Sequence, residues 1–268
     1  MSFWTHFSHD HLIAAHRGFR AIRAENTMVA FAAALGKCDF VELDVGFSRD
    51  GMPIIIHDDS LERTSDAAEL KGFSPPYAVV DYSYAELQQL DFSSWFLISD
   101  PFGTIAQSER LAEETRDLPI QRIVTLAEVL SFFKAHQMPV NVEIKDMRGT
   151  AFDTIATQKV LDIIRQTEME EEVLLSSFNH TYVAEAKELD PDISRAALQE
   201  HAHPENLVTY LKELGVNCYH CDLEITTEAV VRELHNAGIM TNVYTVNTPE
   251  EKERMFSWGV KSVFTDFL

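Results

Sequence analysis

Eight strand-length apolar runs, alternating with longer stretches of helical periodicity, constrain this chain more than anything else in it. The runs are Leu12–Ala15, Phe40–Val45, Val140–Ile144, Val173–Ser176, Ile193–Ala197, Asn217–Tyr219, Ile239–Tyr244 and Ser262–Phe264. The helical stretches are Thr27–Leu35, Leu126–His136, Phe152–Thr167, Thr181–Leu189, Glu205–Leu214, Thr227–Asn236 and Pro249–Ser257. Parallel strands need crossovers of this length. Eight such units predict an α/β fold of the (β/α)8 TIM-barrel class rather than an open sheet. A chain of 268 residues, 46% of them apolar, suits one such domain over 1–268. The helix ends are well marked. Thr125 and Glu128 form a capping-box pair, Thr248 precedes Pro249, and Gly215 and Gly238 stand where helices need a left-handed residue. Little chain follows the eighth run, so the terminal residues or the Phe3–Phe7 segment are expected to cover that sector of the barrel.

The alternation breaks once, over about residues 49–122. This excursion carries an extra strand, Pro53–His57, and a helix near Tyr84–Leu90. Its segments 71–77 and 93–103 read as loops, and Trp95, Phe96 and Phe102 lie in the second. A loop-rich excursion of such length is usually functional. Leaving after the second strand, it emerges on the face where barrel active sites lie. It is expected to form a small cap over the site.

The polar residues inside the runs point to chemistry. Glu42 and Asp44 are two apart on a strand and share one face, opposite Val41, Leu43 and Val45. Two carboxylates so placed repel each other and are costly to bury unless they hold a cation. Asn141, Glu143 and Lys145 share a face in the same way. Glu143 then completes a three-carboxylate site, and Lys145 can hold a phosphate oxygen. A purely structural Glu–Lys pair is the rival reading. Oxygen donors alone suit Mg²⁺ or Ca²⁺ better than zinc. His16 and His57 each end an apolar run, and two groups titrating near neutrality can share acid and base roles. Arg17 offers a planar fork for phosphate.

The formal net charge is −21. So acidic a surface repels nucleic acid and anionic lipid, and neither is an expected partner. It also requires a site for an anionic substrate to carry its own positive charge. No apolar run is long enough to span a bilayer. The first residues lack the basic start and apolar core of a secretory signal, so a cytoplasmic location is expected. His6, His9 and His11 are read as terminal rather than metal-binding. Three cysteines do not make a disulfide framework. Cys218 and Cys221, three apart on a strand, face opposite ways and are expected to be buried structural residues.

Taken together, these segments resemble the glycerophosphodiester phosphodiesterase family. The resemblance rests on His16-Arg17-Gly18, Glu25-Asn26-Thr27, Ala30-Phe31, Glu42-Leu43-Asp44-Val45, Asp50-Gly51, His57-Asp58, Arg63-Thr64, Val142-Glu143-Ile144-Lys145, Ser176-Ser177-Phe178, Thr245-Val246-Asn247 and Thr265-Asp266. These run in order over nearly the whole chain. The resemblance implies a barrel that hydrolyses glycerophosphodiesters to glycerol 3-phosphate and an alcohol. It implies Ca²⁺ or Mg²⁺ on Glu42, Asp44 and Glu143, with His16 and His57 as the acid/base pair. Arg17 and Lys145 would hold the phosphate, and Glu25-Asn26-Thr27 would brace the first loop. Tyr244 stands where relatives often carry Trp and is expected to line the glycerol pocket. A phospholipase D-like or cyclising lyase acting on lysophospholipids is the alternative, with the aromatic residues of the excursion admitting an acyl chain.

Overall fold

A computed structural model describes residues 2–268. Strands β1 (Leu12–Ala15), β2 (Phe40–Phe47), β4 (Val140–Ile144), β5 (Val173–Ser177), β6 (Ser194–Gln199), β7 (Cys218–Asp222), β8 (Met240–Tyr244) and β9 (Ser262–Thr265) run parallel in sequence order. β1 pairs with both β2 and β9, which closes the barrel. The ninth strand, β3 (Pro53–Ile55), forms an antiparallel hairpin with β2. Helix α1 (Met28–Ala34) follows β1. The excursion carries α2 (Tyr84–Leu87), α3 (Ser94–Ser99), α4 (Thr104–Gln107) and α5 (Glu109–Arg116). The outer layer continues with α6 (Leu126–Ala135), α7 (Ala156–Gln166), α8 (His180–Leu189), α9 (Leu207–Leu214), α10 (Glu228–Asn236) and α11 (Pro249–Trp258).

The predicted runs match the strands to within two residues, except that β7 runs on three residues past Tyr219 to Asp222. The capping boxes at Thr125/Glu128 and Thr248/Glu251 form as their spacing requires. Every residue of β2 is buried. Val41, Leu43 and Val45 pack outward with Phe31, Val129 and Phe133 of the helix layer, which leaves Glu42 and Asp44 facing the barrel interior. The register sets Asp44 beside Glu143 of β4, so the three acids lie on adjacent strands. Cys218 packs inside with Leu12 and Phe40, while Cys221 packs with the outer cluster around Val231 and Leu234. All three cysteines are free.

The structure corrects three expectations. Segment 93–103 is not all loop. It contains α3, entered through a turn in which Asp91 accepts the backbone N–H groups of Ser93 (2.7 Å) and Ser94 (3.2 Å). The helix near Tyr84–Leu90 is a single turn, ended after Leu87. The Phe3–Phe7 segment does not cover the last sector. Phe3 is fully buried and stands edge-on to Phe40 (5.3 Å) in a cluster with Leu12, Leu174 and Phe264. It plugs the amino-terminal end of the barrel. The other expected cover is the one found: Leu268 packs on the barrel's core cluster, and Phe102 of the excursion stands edge-on to Phe267 at 5.6 Å. The excursion has its own small core of Ile54, Leu61, Val79, Tyr82, Leu87 and Phe92.

Candidate active site

The site is assembled at the carboxyl ends of the strands. After β1 the chain turns sharply, with Arg17 (φ 54°) and Gly18 (φ 82°) both left-handed. The turn packs so tightly on α1 that a Cβ at Gly18 would lie 2.8 Å from the carbonyl carbon of Ala30. It aims the Arg17 backbone N–H at Glu42 Oε2 (2.8 Å). The Arg17 guanidinium bonds Glu25 (2.9 Å) and sits 3.3 Å from Asp44. Glu25 is the hub that binds this loop to the excursion, taking Arg17, Arg20 and Arg63. Burial opposes its charge, but the three guanidinium groups outweigh it and hold its pKa at about 2.

Glu42, Asp44 and Glu143 offer one oxygen each, all within 4.8 Å of one another, and all three residues are buried. Among the described residues this is the one group of metal-ligating side chains so arranged. Their electrostatics are unequal. Burial, with Asp44 and Glu143 nearby, pushes Glu42 well above the ordinary carboxylate range. Burial and Asp44 likewise raise Glu143, although Lys145 donates to it at 2.8 Å. For Asp44 burial is outweighed by Lys145 and Arg17, and the net direction is downward. Asp44 Oδ2 also accepts Asn26 Nδ2 (2.8 Å), while its buried Oδ1 has no hydrogen-bond donor. The cluster therefore fits a hard divalent ion on two counts. Its donors are all oxygen, and the ion's charge would let all three acids ionise together.

Each candidate histidine is oriented by an aspartate. His16 Nδ1 lies 2.8 Å from Asp266 Oδ1, and Asp266 is held in turn by Asn247 at 2.8 Å. Burial and the Arg17 charge push His16 down to about 4, against the pull of Asp266. His57 Nδ1 lies 2.6 Å from Asp58 Oδ1, and Arg63 clamps Asp58 at 2.6 Å. A ring that donates from Nδ1 to a carboxylate presents Nε2 for proton exchange.

A cavity of about 470 Å³ is lined by His16, Arg17, Glu42, His57, Glu143, Lys145 and Tyr244. Asp44 lies just behind that wall. Phe178, Leu198, Glu200, His220 and Asp222 are also among the cavity's lining residues. Tyr244 presents its ring, edge-to-face with Phe178 at 6.0 Å, and its hydroxyl donates to the Gln199 carbonyl (2.8 Å). Trp95, Phe96 and Phe102 are not part of this lining. Phe96 is buried, Phe102 packs on Phe267, and the Trp95 ring lies under Arg63. Glu25, Asp58 and Asp266 all lie in the sequence motifs, but the motifs alone assign the two aspartates no role, and nothing local marks His220 as a cavity residue. The available signal was an aspartate directly after an apolar run, as in Phe264-Thr265-Asp266.

The glycerophosphoryl diester phosphodiesterase family matches this sequence over residues 16–268. The chain belongs to that family. As a family member it is a phosphoric diester hydrolase. A glycerophosphodiester phosphodiesterase of Bacillus altitudinis is 34% identical over 95% of this chain and 94% of its own length. The structure of an Oleispira antarctica phosphodiesterase in complex with the product sn-glycerol-3-phosphate superposes with a TM-score of 0.82. It is 26% identical, over 100% of this chain and 96% of that one. A glycerophosphodiester phosphodiesterase from Thermotoga maritima, 24% identical over 97% of this chain and 96% of its own, shares the fold with a TM-score of 0.68.

Proposed function

We propose that Glu42, Asp44 and Glu143 hold a Ca²⁺ or Mg²⁺ ion, and that the protein uses this site to hydrolyse glycerophosphodiesters to sn-glycerol 3-phosphate and an alcohol. The observation that carries the reading is the convergence of three buried carboxylates beside two histidines, each backed by its own aspartate. Bound there, the cation would polarise a phosphate oxygen and offset the charge of the transition state. Arg17 and Lys145 hold the remaining phosphate oxygens. His16 and His57 exchange protons with the nucleophile and the leaving alcohol. Asp266 and Asp58 fix the ring tautomers. Tyr244 and Phe178 line the space for the glycerol carbons. The product complex of the Oleispira relative supports the choice of ligand.

The position of Trp95, Phe96 and Phe102 away from the cavity disfavours an acyl-chain substrate, and with it the lysophospholipid alternative. The chain works as one barrel domain, with residues 49–122 as the cap that shapes the substrate profile. Glycerophosphodiesters are deacylated phospholipids, and on this reading the enzyme serves lipid metabolism. Its site of action is the cytoplasm. Among the described residues no helix is long and apolar enough to cross a membrane.

The test is release of glycerol 3-phosphate from glycerophosphocholine with and without chelator. Chelation should abolish release, and added Ca²⁺ or Mg²⁺ should restore it and raise the melting temperature by mass action. Full activity in excess chelator would dismiss the metal assignment.

A further inference from the structure

A second cavity, of about 150 Å³, adjoins the catalytic one at His57 and Lys145. Those two residues line both spaces. The walls of the second come from three parts of the chain: the β2 strand at Gly46 and Phe47, the cap at residues 56–59 and 78–80, and the β4–α7 loop at residues 145–150. Phe47, Ile56, Val79 and Met147 give it a buried apolar lining. Its charges are mostly spoken for. Asp58 is held by Arg63, Arg148 by Asp146 (2.6 Å), and Lys145 by Glu143. Asp59 is exposed at its rim and, among the described residues, has no cationic partner.

We propose that this smaller cavity is the subsite for the head-group alcohol, and that it takes a compact, positively charged amino alcohol. The inference deepens the proposed function and rests on it. A diester has two arms. The phosphate and the glycerol arm common to all substrates are held in the larger cavity, among the residues that bind the phosphate. The arm that varies between substrates needs separate space that reaches the same phosphorus atom. The smaller cavity meets this need because His57 and Lys145 border both. Its apolar wall suits the carbon skeleton of a small amino alcohol, and the Asp59 carboxylate suits its charge. The leaving oxygen then lies on the His57 side. The P–O bond to the head group breaks, its electron pair stays on that oxygen, and His57 supplies the proton. The proton lost by the attacking water passes to His16.

The test compares kcat/KM for glycerophosphocholine, for the uncharged diester glycerophosphoglycerol, and for the methyl ester of glycerol 3-phosphate. Val80, half-buried at the cavity wall, is changed to Trp, and Asp59 to Asn. Filling the cavity in Val80→Trp should lower kcat/KM for the choline ester about tenfold more than for the methyl ester. Asp59→Asn should lower the choline ester about threefold relative to glycerophosphoglycerol, a gap that salt erodes in the wild type. Asp59 is exposed, so this second variant decides the matter if Val80→Trp does not fold. Equal losses on all esters, or none, would overturn the subsite and leave the activity standing. Failure of the wild type to release glycerol 3-phosphate from any of the three would sink the activity itself, and the subsite with it.

Discussion

His16 and His57 differ from the structural histidines of the same barrel. His180 has both ring nitrogens engaged, by the Tyr210 hydroxyl (2.6 Å) and the Leu198 carbonyl (2.8 Å). His203 is engaged in the same way by Tyr219 and Ile225. The two site histidines instead each give one nitrogen to an aspartate and turn toward the cavity. Replacing either with Ala should cut kcat by about 10²–10⁴ and change KM little. Near-wild-type turnover by either purified variant would remove that residue from proton transfer. His220 is a third kind. It is fully buried on β7, neither nitrogen has a partner, and burial pushes its pKa to about 3. Above the ordinary histidine value it is neutral in both the folded and unfolded chain and has no effect on pH dependence. Below about pH 6.5 the unfolded chain takes up a proton that the folded chain refuses, so stability should fall by about 1.4 kcal/mol per pH unit from this residue. Urea midpoints of the wild type and His220→Asn should converge as pH drops from about 6.5 to about 4. A constant gap over that range would contradict the assignment.

At the scale of elements, the β1–α1 turn matters most, because one backbone geometry positions both Arg17, proposed to bind phosphate, and Glu42, a proposed metal ligand. Gly18 is left-handed and pressed against Ala30. Gly18→Ala should cost about 1–2 kcal/mol for the left-handed residue alone, and more for the clash. It should also move the Arg17 N–H off Glu42 and depress kcat/KM. Gly36 offers a control. It is equally left-handed, yet a Cβ there meets nothing within 4 Å. Gly36→Ala should lower the melting temperature by the smaller amount and leave kcat/KM intact. Equal loss of activity in both variants would mean that the turn acts through stability alone.

At the scale of the molecule, the cap contributes to the wall of the cavity through His57. It carries His57, Asp58 and Arg63, and Arg63 ties it to Glu25 of the first barrel loop at 2.6 Å. A surface with formal net charge −21 attracts no anion at long range. The molecule answers by gathering Arg17, Arg20, Arg63 and Lys145 around the buried acids. Because the cap has its own apolar core, its outer part should be exchangeable as a unit with that of a relative, retaining His57, Asp58 and Arg63. The ranking of head groups in a glycerol 3-phosphate release assay should then follow the donor of the cap. An unchanged ranking would make the cap mere covering.

The strands, their order, and the inward face of Glu42, Asp44 and Glu143 were legible in the sequence. Strand periodicity and the cost of burying charge are local matters, and eight crossovers leave few ways to arrange a sheet. Asp266 and Asp58 as partners of the histidines, the triple clamp on Glu25, the plug formed by Phe3 and the small cavity beside His57 were not legible. The His57–Asp58 pair joins sequence neighbours and turns only on their side-chain directions; the others depend on how far β1 lies from β9, or the cap from the first loop, once the barrel has closed. His16 and Asp266 are 250 residues apart along the chain, and no local pattern records that closure brings them within one hydrogen bond.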